Sequence, residues 1–98
     1  MKSALLHYSY GEVFRYVEKV CQRNGFRIQK MNEENGEVTA ERGWKVLGTK
    51  THLHLKLEKR AKLITKVNVE VMLNRMKKNK TGADKIEEEI IDTIYKYF

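Results

Sequence analysis

The sequence predicts an α+β fold in which an antiparallel sheet of four to five strands carries two helices on one face. Apolar residues recur at helical spacing near each end of the chain, and the period changes to two between Phe26 and Leu73. Within that middle stretch, three turns can be placed so that the apolar residues stay on one side. This pattern is typical of an antiparallel sheet that is covered on one face only.

One domain, spanning residues 1–98, is expected because the chain has the length of a single domain and contains no Pro-rich or Gly/Ser-rich stretch. No apolar run is long enough to cross a bilayer, and the first ten residues do not resemble a signal peptide. We therefore expect a cytoplasmic protein without a membrane partner. The single cysteine, Cys21, can form no internal disulfide, and its apolar helix face favours a core residue over a reactive thiol.

The first strand is expected within residues 3–8 and is followed by a helix that begins after Ser9. Ser9 and Glu12 have the spacing of a capping box, in which the Ser9 hydroxyl accepts from the Glu12 amide and the Glu12 carboxylate accepts from the Ser9 amide. Asn24-Gly25 provides the left-handed residue that ends the helix. The apolar face between these ends contains Val13, Val17, Val20 and Cys21.

Four strands should then form a meander with turns at residues 32–36, at Leu47-Gly48 and near Lys59 to Lys62. Trp44 is expected in the core rather than in a ligand platform, because aromatic residues dominate small cores. The residues expected to face inward are Phe26, Ile28, Val38, Ala40, Trp44, Val46, Thr51, Leu53, Leu55, Leu57, Leu63, Thr65, Val67, Val69 and Val71.

A final helix is expected after Gly82, with Thr81 and Asp84 forming its cap. The run Glu87–Glu89 is expected on the solvated side of this helix. Its apolar face should pack on the same side of the sheet as the first helix, and it contains Ile86, Ile90, Ile91, Ile94 and Phe98.

This order of elements resembles one half of the TATA-box-binding protein fold, across the whole chain but in topology alone. The DNA-binding member of that family combines two such units and uses aromatic wedges on an open sheet face. The open face predicted here has no aromatic residue, so the resemblance implies a fold and not a mode of DNA binding. That face should present Arg27, Gln29, Thr39, Glu41, His52, His54, Lys56, Lys66, Asn68 and Glu70, with Met31, Ile64 and Met72 as scattered apolar residues.

The charge of the chain is uneven. The net charge is +7, yet residues 83–98 carry two bases and five acids, which is 2 − 5 = −3, and the rest carries +10. Six basic residues, which we call the lysine-rich pole, should gather near the start of the final helix, where helix amides and the helix dipole favour an anion. The lysine-rich pole has two interpretations: it contacts phosphate groups of a partner, or it is a solvated loop without a partner. The lysine-rich pole comprises Lys45, Lys50, Arg75, Lys77, Lys78 and Lys80.

At the opposite end of the sheet, Lys59, Arg60 and Lys62 should face an acidic turn that contains Glu33 and Glu34. We expect these opposite charges to neutralise one another.

His52 and His54 lie two residues apart on a strand, so both rings should project from the open face. They could serve as metal ligands, but exposed strand residues, with His54 beside Glu41, are the simpler interpretation. The sequence shows no nucleophile with a base, no paired carboxylates in a cleft and no phosphate loop. An enzyme is therefore not expected, and neither is a cofactor or a metal.

The leading hypothesis is a small, basic, non-enzymatic binding module that contacts nucleic acid or another polyanion through the lysine-rich pole. The alternative is a protein–protein interaction module, which could be a homodimer, that uses the open sheet face or an edge strand. A third hypothesis is a carrier that holds a small apolar ligand between helices and sheet, although a chain of this size leaves little core volume.

Overall fold

The structure, a computed structural model, describes residues 2–44, 49–73 and 80–98. Its elements are β1 (Lys2–Leu6), α1 (Tyr10–Arg23), β2 (Arg27–Asn32), β3 (Glu37–Trp44), β4 (Thr49–Ala61), β5 (Ile64–Leu73) and α2 (Lys80–Tyr97). The strands form one sheet in the order β1-β5-β4-β3-β2, and every neighbouring pair is antiparallel. The predicted fold class and order of elements are confirmed, with β1 as a fifth strand beside β5.

Both helices pack on one face of the sheet, and the core lies between the two layers. Alternate residues of the central strands point into it, as Leu53 and Val67 illustrate, while Ile90 and Ile94 enter from α2. Burying one such side chain contributes about 1.5–3 kcal/mol. The other face of the sheet carries polar side chains, because successive strand residues point to opposite faces.

Helix α1 begins at the predicted cap. The Ser9 hydroxyl oxygen accepts from the Glu12 amide at 3.4 Å. The second contact predicted for the capping box, from the Ser9 amide to the Glu12 carboxylate, was wrong. The Glu12 carboxylate instead accepts from the Ser9 hydroxyl at 2.9 Å. One hydroxyl therefore acts as both acceptor and donor within this first turn.

The end of α1 also follows the prediction. Gly25 adopts the left-handed conformation, with φ of 80°. The Phe26 amide donates to the Cys21 carbonyl at 2.9 Å, and the Gly25 amide donates to the Gln22 carbonyl at 3.0 Å. These two hydrogen bonds define a Schellman motif, in which the residue after glycine packs back into the core.

The hairpin between β2 and β3 has the predicted turn but an unpredicted irregularity. The pairing shifts between Ile28 and Lys30, which makes a β-bulge in the edge strand. Met31 consequently lies opposite Val38 and packs, half-buried, against the core. The prediction that Met31 lies on the open face was wrong, because one extra residue reverses the direction of every side chain that follows it.

The hairpin between β4 and β5 is longer than predicted. Ala61 lies opposite Ile64, so the turn consists of two residues, Lys62 and Leu63, and the strands continue through the expected turn region. Leu63 was predicted to face inward, but at the tip of the turn it is 59% exposed. The predicted Leu47-Gly48 turn, Val46 and the side chain of Trp44 lie outside the described residues.

Helix α2 differs from the prediction in its start and in one buried residue. It begins at Lys80, so Thr81 and Asp84 lie within the helix and the predicted cap was wrong. Glu87 was expected on the solvated side but is 2% exposed, whereas Glu88 and Glu89 are exposed as predicted. Across the residues described, no helix is long and apolar enough to cross a membrane.

Candidate functional site

The lysine-rich pole falls almost wholly outside the part of the chain that the structure describes, and it remains a prediction. Backbone positions are described for two of its members: Lys50 lies in β4 opposite Gly43, and Lys80 is the first residue of α2. The members outside the described ranges are Lys45, Arg75, Lys77 and Lys78, and the side chains of Lys50 and Lys80 lie outside them as well.

The described strands nevertheless show where the chain leaves the sheet toward these residues. Trp44 at the end of β3 lies opposite Thr49 at the start of β4, and Thr51 lies opposite Leu73 at the end of β5. All three strand ends therefore meet at one end of the sheet. The expectation that the two basic segments begin from the same end is consistent with this register.

Residues of opposite charge lie opposite one another on neighbouring strands of the open face. Arg27 on β2 lies opposite Glu41 on β3, with a closest nitrogen–oxygen distance of 3.7 Å. Lys56 on β4 lies opposite Glu37 on β3 at 3.5 Å, and Lys66 on β5 pairs with Glu58 on β4 in the register. Such cross-strand pairs stabilise a sheet modestly.

The described residues of this face carry bases and acids in nearly equal number, and its apolar surface is sparse. Met72, 60% exposed, is a lone apolar side chain beside His52. Its described side chains include no aromatic residue, so the face lacks a stacking platform for bases. Among the described side chains of this face, the acids are Glu37, Glu41, Glu58 and Glu70, and the bases are Arg27, Lys30, Lys56, Arg60 and Lys66.

The two histidines of this face have different neighbours from those predicted. The register places His52 opposite Glu41 and places His54 opposite Thr39 and Glu70, so the expected pair of His54 with Glu41 was wrong. The cause is a shift of two residues along β4, which leaves both rings on the predicted face. No group of three or more potential metal ligands occurs among the residues described.

On the open face, the Asn68 side chain on β5 is hydrogen-bonded to two residues of β4. The Asn68 amide nitrogen donates to the Glu58 carboxylate at 2.5 Å and to the Lys56 carbonyl at 3.3 Å. The hydrogen bond from Asn68 lowers the pKa of Glu58, and the positive charges of Arg60 and Lys66 act in the same direction against desolvation. Glu58 is thus held in its charged form by a neutral neighbour on the adjacent strand.

The end of the sheet opposite the lysine-rich pole is not neutralised in the predicted way. Among the residues described, no ion pair joins Glu33 or Glu34 to the basic hairpin, and Arg60 lies 3.9 Å from Glu58 on its own strand. Glu33 instead belongs to a turn whose backbone accepts a hydrogen bond from the Tyr10 hydroxyl. Burial, together with the negative charge of Glu33, raises the pKa of Tyr10.

Cys21 lies in the core, as predicted. Its thiol is fully buried, and burial raises its pKa to about 12, with the charge of Glu18 acting in the same direction. A thiolate is the reactive form of cysteine. The structure therefore gives this residue a packing role.

The buried position of Glu87 was not predicted from the sequence. Its carboxylate accepts a hydrogen bond from the Val71 amide at 2.9 Å, in the buried layer between α2 and β5. The spacing contained a signal, because Glu87 precedes Ile90 by three residues and Ile94 by seven, which puts all three on one helix face. A solvated position is nevertheless the ordinary expectation for such a residue, because buried carboxylates are rare.

The outer edge of the sheet along β1 forms a groove with α2. Lys2 and Ser3 line one side of it, and Glu88, Ile91 and Asp92 of α2 line the other. The Lys2 amine lies 3.6 Å from the Glu88 carboxylate across the groove. On the open face beside this edge, Leu5 is 49% exposed. An edge strand was predicted as a binding surface only in general terms, and this groove was not predicted because it requires α2 to pack beside β1.

The fold and these surfaces define an α+β domain with a five-stranded open sheet and two helices on one face. No protein-family model matches the chain, and no curated protein matches it. Among solved structures it is similar to a DUF4468 family protein from Bacteroides ovatus, with a TM-score of 0.40 and 11% identity, covering 99% of this chain and 80% of that chain. A similarity this weak supports no inference about function.

Proposed function

We propose that the protein is a small, non-enzymatic binding module whose lysine-rich pole contacts a phosphate-bearing polymer such as a nucleic acid. The observation that carries the proposal is the position of the net charge. Residues 74–80 contain four bases and no acid, and residues 42–50 contain three bases and no acid. Six of these seven bases are the members of the pole, so uncompensated positive charge is concentrated in these two short segments.

The register of the sheet supports bringing that charge together. The ends of β3 and β5 and the start of β4 lie at one end of the sheet, and Lys80 begins α2. The amides at a helix start favour anions, and clustered lysines displace the counterions of a polyanion. On the described open face, four acids offset most of the five bases, so that face attracts phosphate less strongly.

A relationship of fold to the TATA-box-binding protein is part of the proposal, as a topology alone. The strand, helix, four-strand, helix order supports it. The described open face carries no aromatic wedge, so the proposed contact is electrostatic and does not involve opening base steps. We accordingly expect strong dependence on salt and weak dependence on nucleotide sequence.

The proposal includes a cytoplasmic location and a function without catalysis or a cofactor. The burial of the single cysteine, Cys21, and the structural hydrogen bonds of Glu87 and Glu58 support this interpretation. The alternative, a protein–protein module, gains little from the open face, whose apolar surface near His52 is limited to Met72. The edge strand β1, with the groove beside it, gives that alternative more support.

The test compares two charge-reversed variants that change the net charge equally. In the first, Lys77, Lys78 and Lys80 are replaced by Glu; in the second, Lys59, Arg60 and Lys62 at the β4–β5 hairpin are replaced by Glu. Both are measured by elution from heparin and by binding to a short mixed oligonucleotide across a salt series. Urea unfolding of each variant checks that the fold is kept.

We expect the pole variant to lose binding and the hairpin variant to keep most of it. The slope of log K against log salt should fall by about 0.7 for each phosphate of a single strand that the variant no longer neutralises. Equal losses in both variants would mean that net charge alone drives retention. Unchanged retention of the pole variant would exclude the lysine-rich pole as the contact surface.

A further inference from the structure

The direction of the backbone groups along β1 follows from the contact between Val71 and Glu87. The Val71 amide donates to Glu87 and therefore points away from β4, toward the side on which β1 lies. Amides alternate in direction along a strand, so those of Val69 and Val67 point toward β1, where they lie opposite Lys2 and Ala4. The Leu57 amide, which donates to Gly36 on the β3 side of β4, fits the same alternation.

The intervening residues of β1 consequently turn their hydrogen-bonding groups outward. Ser3 and Leu5 lie opposite Asn68 and Lys66 in positions that are not hydrogen-bonded to β5. Their amides and carbonyls, four groups in all, point to the free edge of the sheet. Both residues are exposed, so the edge is accessible along its length.

The two edges of the sheet are not equally protected. The β2 edge has a bulge between Ile28 and Lys30 and carries Arg27 and Lys30, which are common devices against strand pairing. The β1 edge pairs regularly over its five residues, without a bulge or a proline, and the amine of its one charged residue, Lys2, lies 3.6 Å from Glu88 of α2. It is therefore the edge that can accept another strand.

The side chains beside the β1 edge indicate the chemistry of such a strand. A residue placed opposite Ala4, whose side chain is buried beneath the helices, would project toward the groove formed with α2. There Glu88 already pairs with Lys2, while Asp92 is exposed and has no ion-pair partner among the residues described. Half-buried Ile91 lies between them in sequence. This position suits a basic side chain with an aliphatic stem.

The partner residues on either side of this basic residue would lie on the open face and not in the groove. Residues opposite Ser3 and Leu5 would project to the open face, where the 49% exposed Leu5 is available for apolar contact. We propose that the β1 edge binds an extended segment of a partner protein, added antiparallel to β1, with one basic residue between two apolar residues. This inference concerns different residues from the lysine-rich pole and is independent of it.

A second copy of the chain suits this edge less well than a basic segment does. Pairing β1 with β1 of another copy would continue the sheet and bring the two α2 helices together on one face. Glu88 and Asp92 of both copies would then approach one another across the junction, and like charges at close range are destabilising. A partner strand that lacks this helix avoids the repulsion.

The experiment uses the full 98-residue chain and the peptide acetyl-Gly-Ser-Val-Arg-Val-Ser-Gly-amide, followed by amide-resolved NMR. One control peptide carries Glu in place of Arg, and a second carries N-methyl groups on both valines. Two protein variants make the same change of charge: Asp92→Lys inside the groove and Glu89→Lys outside it. Mass in solution is measured across a concentration series without peptide.

We expect shifts at the amides of Ser3 and Leu5 and along Glu88–Asp92. N-methylation should weaken binding by about tenfold, because it removes two backbone hydrogen bonds. Asp92→Lys should weaken binding of the Arg peptide by about threefold and favour the Glu peptide, as expected for an exposed ion pair. Glu89→Lys should leave the preference unchanged.

Three results would overturn the proposal. The first is an absence of shifts at millimolar peptide, and the second is binding that N-methylation does not weaken. The third is a concentration-dependent dimer in which the Ser3 and Leu5 amides change on dilution, since the edge would then belong to a second copy.

Discussion

Replacing Gly36 by Ala tests how tightly the β2–β3 turn is held against β4. Gly36 is buried, has φ of 68°, and its carbonyl accepts from the Leu57 amide at 2.7 Å. A Cβ atom there would lie 2.4 Å from the Leu57 carbonyl oxygen and 2.8 Å from the Tyr10 hydroxyl. Backbone atoms at such a distance must move, so the substitution should disturb both the β2–β3 turn and β4.

The expected cost has three parts. A left-handed conformation costs a residue other than glycine about 1–2 kcal/mol. Overpacking against fixed neighbours costs about 1–3 kcal/mol, and weakening the hydrogen bond from Leu57 costs about 0.5–1.5 kcal/mol. Summing the three parts, we expect Gly36→Ala to lower the free energy of unfolding by about 2.5–6.5 kcal/mol.

Gly25→Ala is the matched control, because Gly25 also has a positive φ, of 80°, but its Cβ would find only the Arg42 side chain at 3.6 Å. It should cost only the conformational part, about 1–2 kcal/mol. Urea unfolding followed by circular dichroism measures both variants. If Gly36→Ala costs no more than Gly25→Ala, the close approach of the turn to Leu57 does not exist in solution, and the reasoning is refuted.

Two further predictions concern carboxylates. Glu87→Ala should destabilise the fold by about 1–3 kcal/mol, because the buried Val71 amide loses its hydrogen-bond acceptor. Glu87→Gln should cost less because an acceptor oxygen remains, and urea unfolding compares the two variants. Asn68→Ala should raise the pKa of Glu58 toward its ordinary value, as measured by a carboxyl NMR titration. The sign follows from linkage: the lowered pKa of Glu58 stabilises the fold above the ordinary value, and this contribution is lost as the pH falls through the folded-state pKa. Asn68→Ala should therefore reduce the loss of stability on acidification.

Each of these two predictions has a control. Glu89→Ala changes an exposed residue of the same helix and should alter the free energy of unfolding by no more than about 0.5 kcal/mol. Equal costs for Glu87→Ala and Glu89→Ala would contradict the buried position of Glu87. For Glu58, a titration midpoint that does not change in Asn68→Ala would show that the hydrogen bond is not the main cause of the lowered pKa.

The parts of the fold that local sequence determines were predicted well. The Ser9 cap, the Gly25 end of α1 and the turn before Gly36 each depend on a few neighbouring residues and their backbone preferences. The alternating pattern of β4 and β5 placed their core residues, because a period of two leaves only one buried face. These features can be predicted without knowing which other segments pack against them.

The candidate surfaces were predicted less well, because they depend on how elements meet. The lysine-rich pole came from charge counting and lies largely outside the described residues. The histidine neighbours were wrong because register is a property of two strands, and composition along one strand does not specify it. The groove beside β1 was not identified because its walls come from residues 2–3 and 88–92, at opposite ends of the chain.

The order of the elements, the covered face of the sheet and the uneven distribution of charge can all be read from the residues alone. Tertiary structure alone decided that Met31 turns inward at a bulge, that Glu87 is buried against the Val71 amide, and that β1 has a free edge beside an acidic helix. The physical reason is the same in each case. Local preferences and periodicity are properties of one segment, whereas burial, hydrogen-bond partners and free edges depend on which other segment lies alongside.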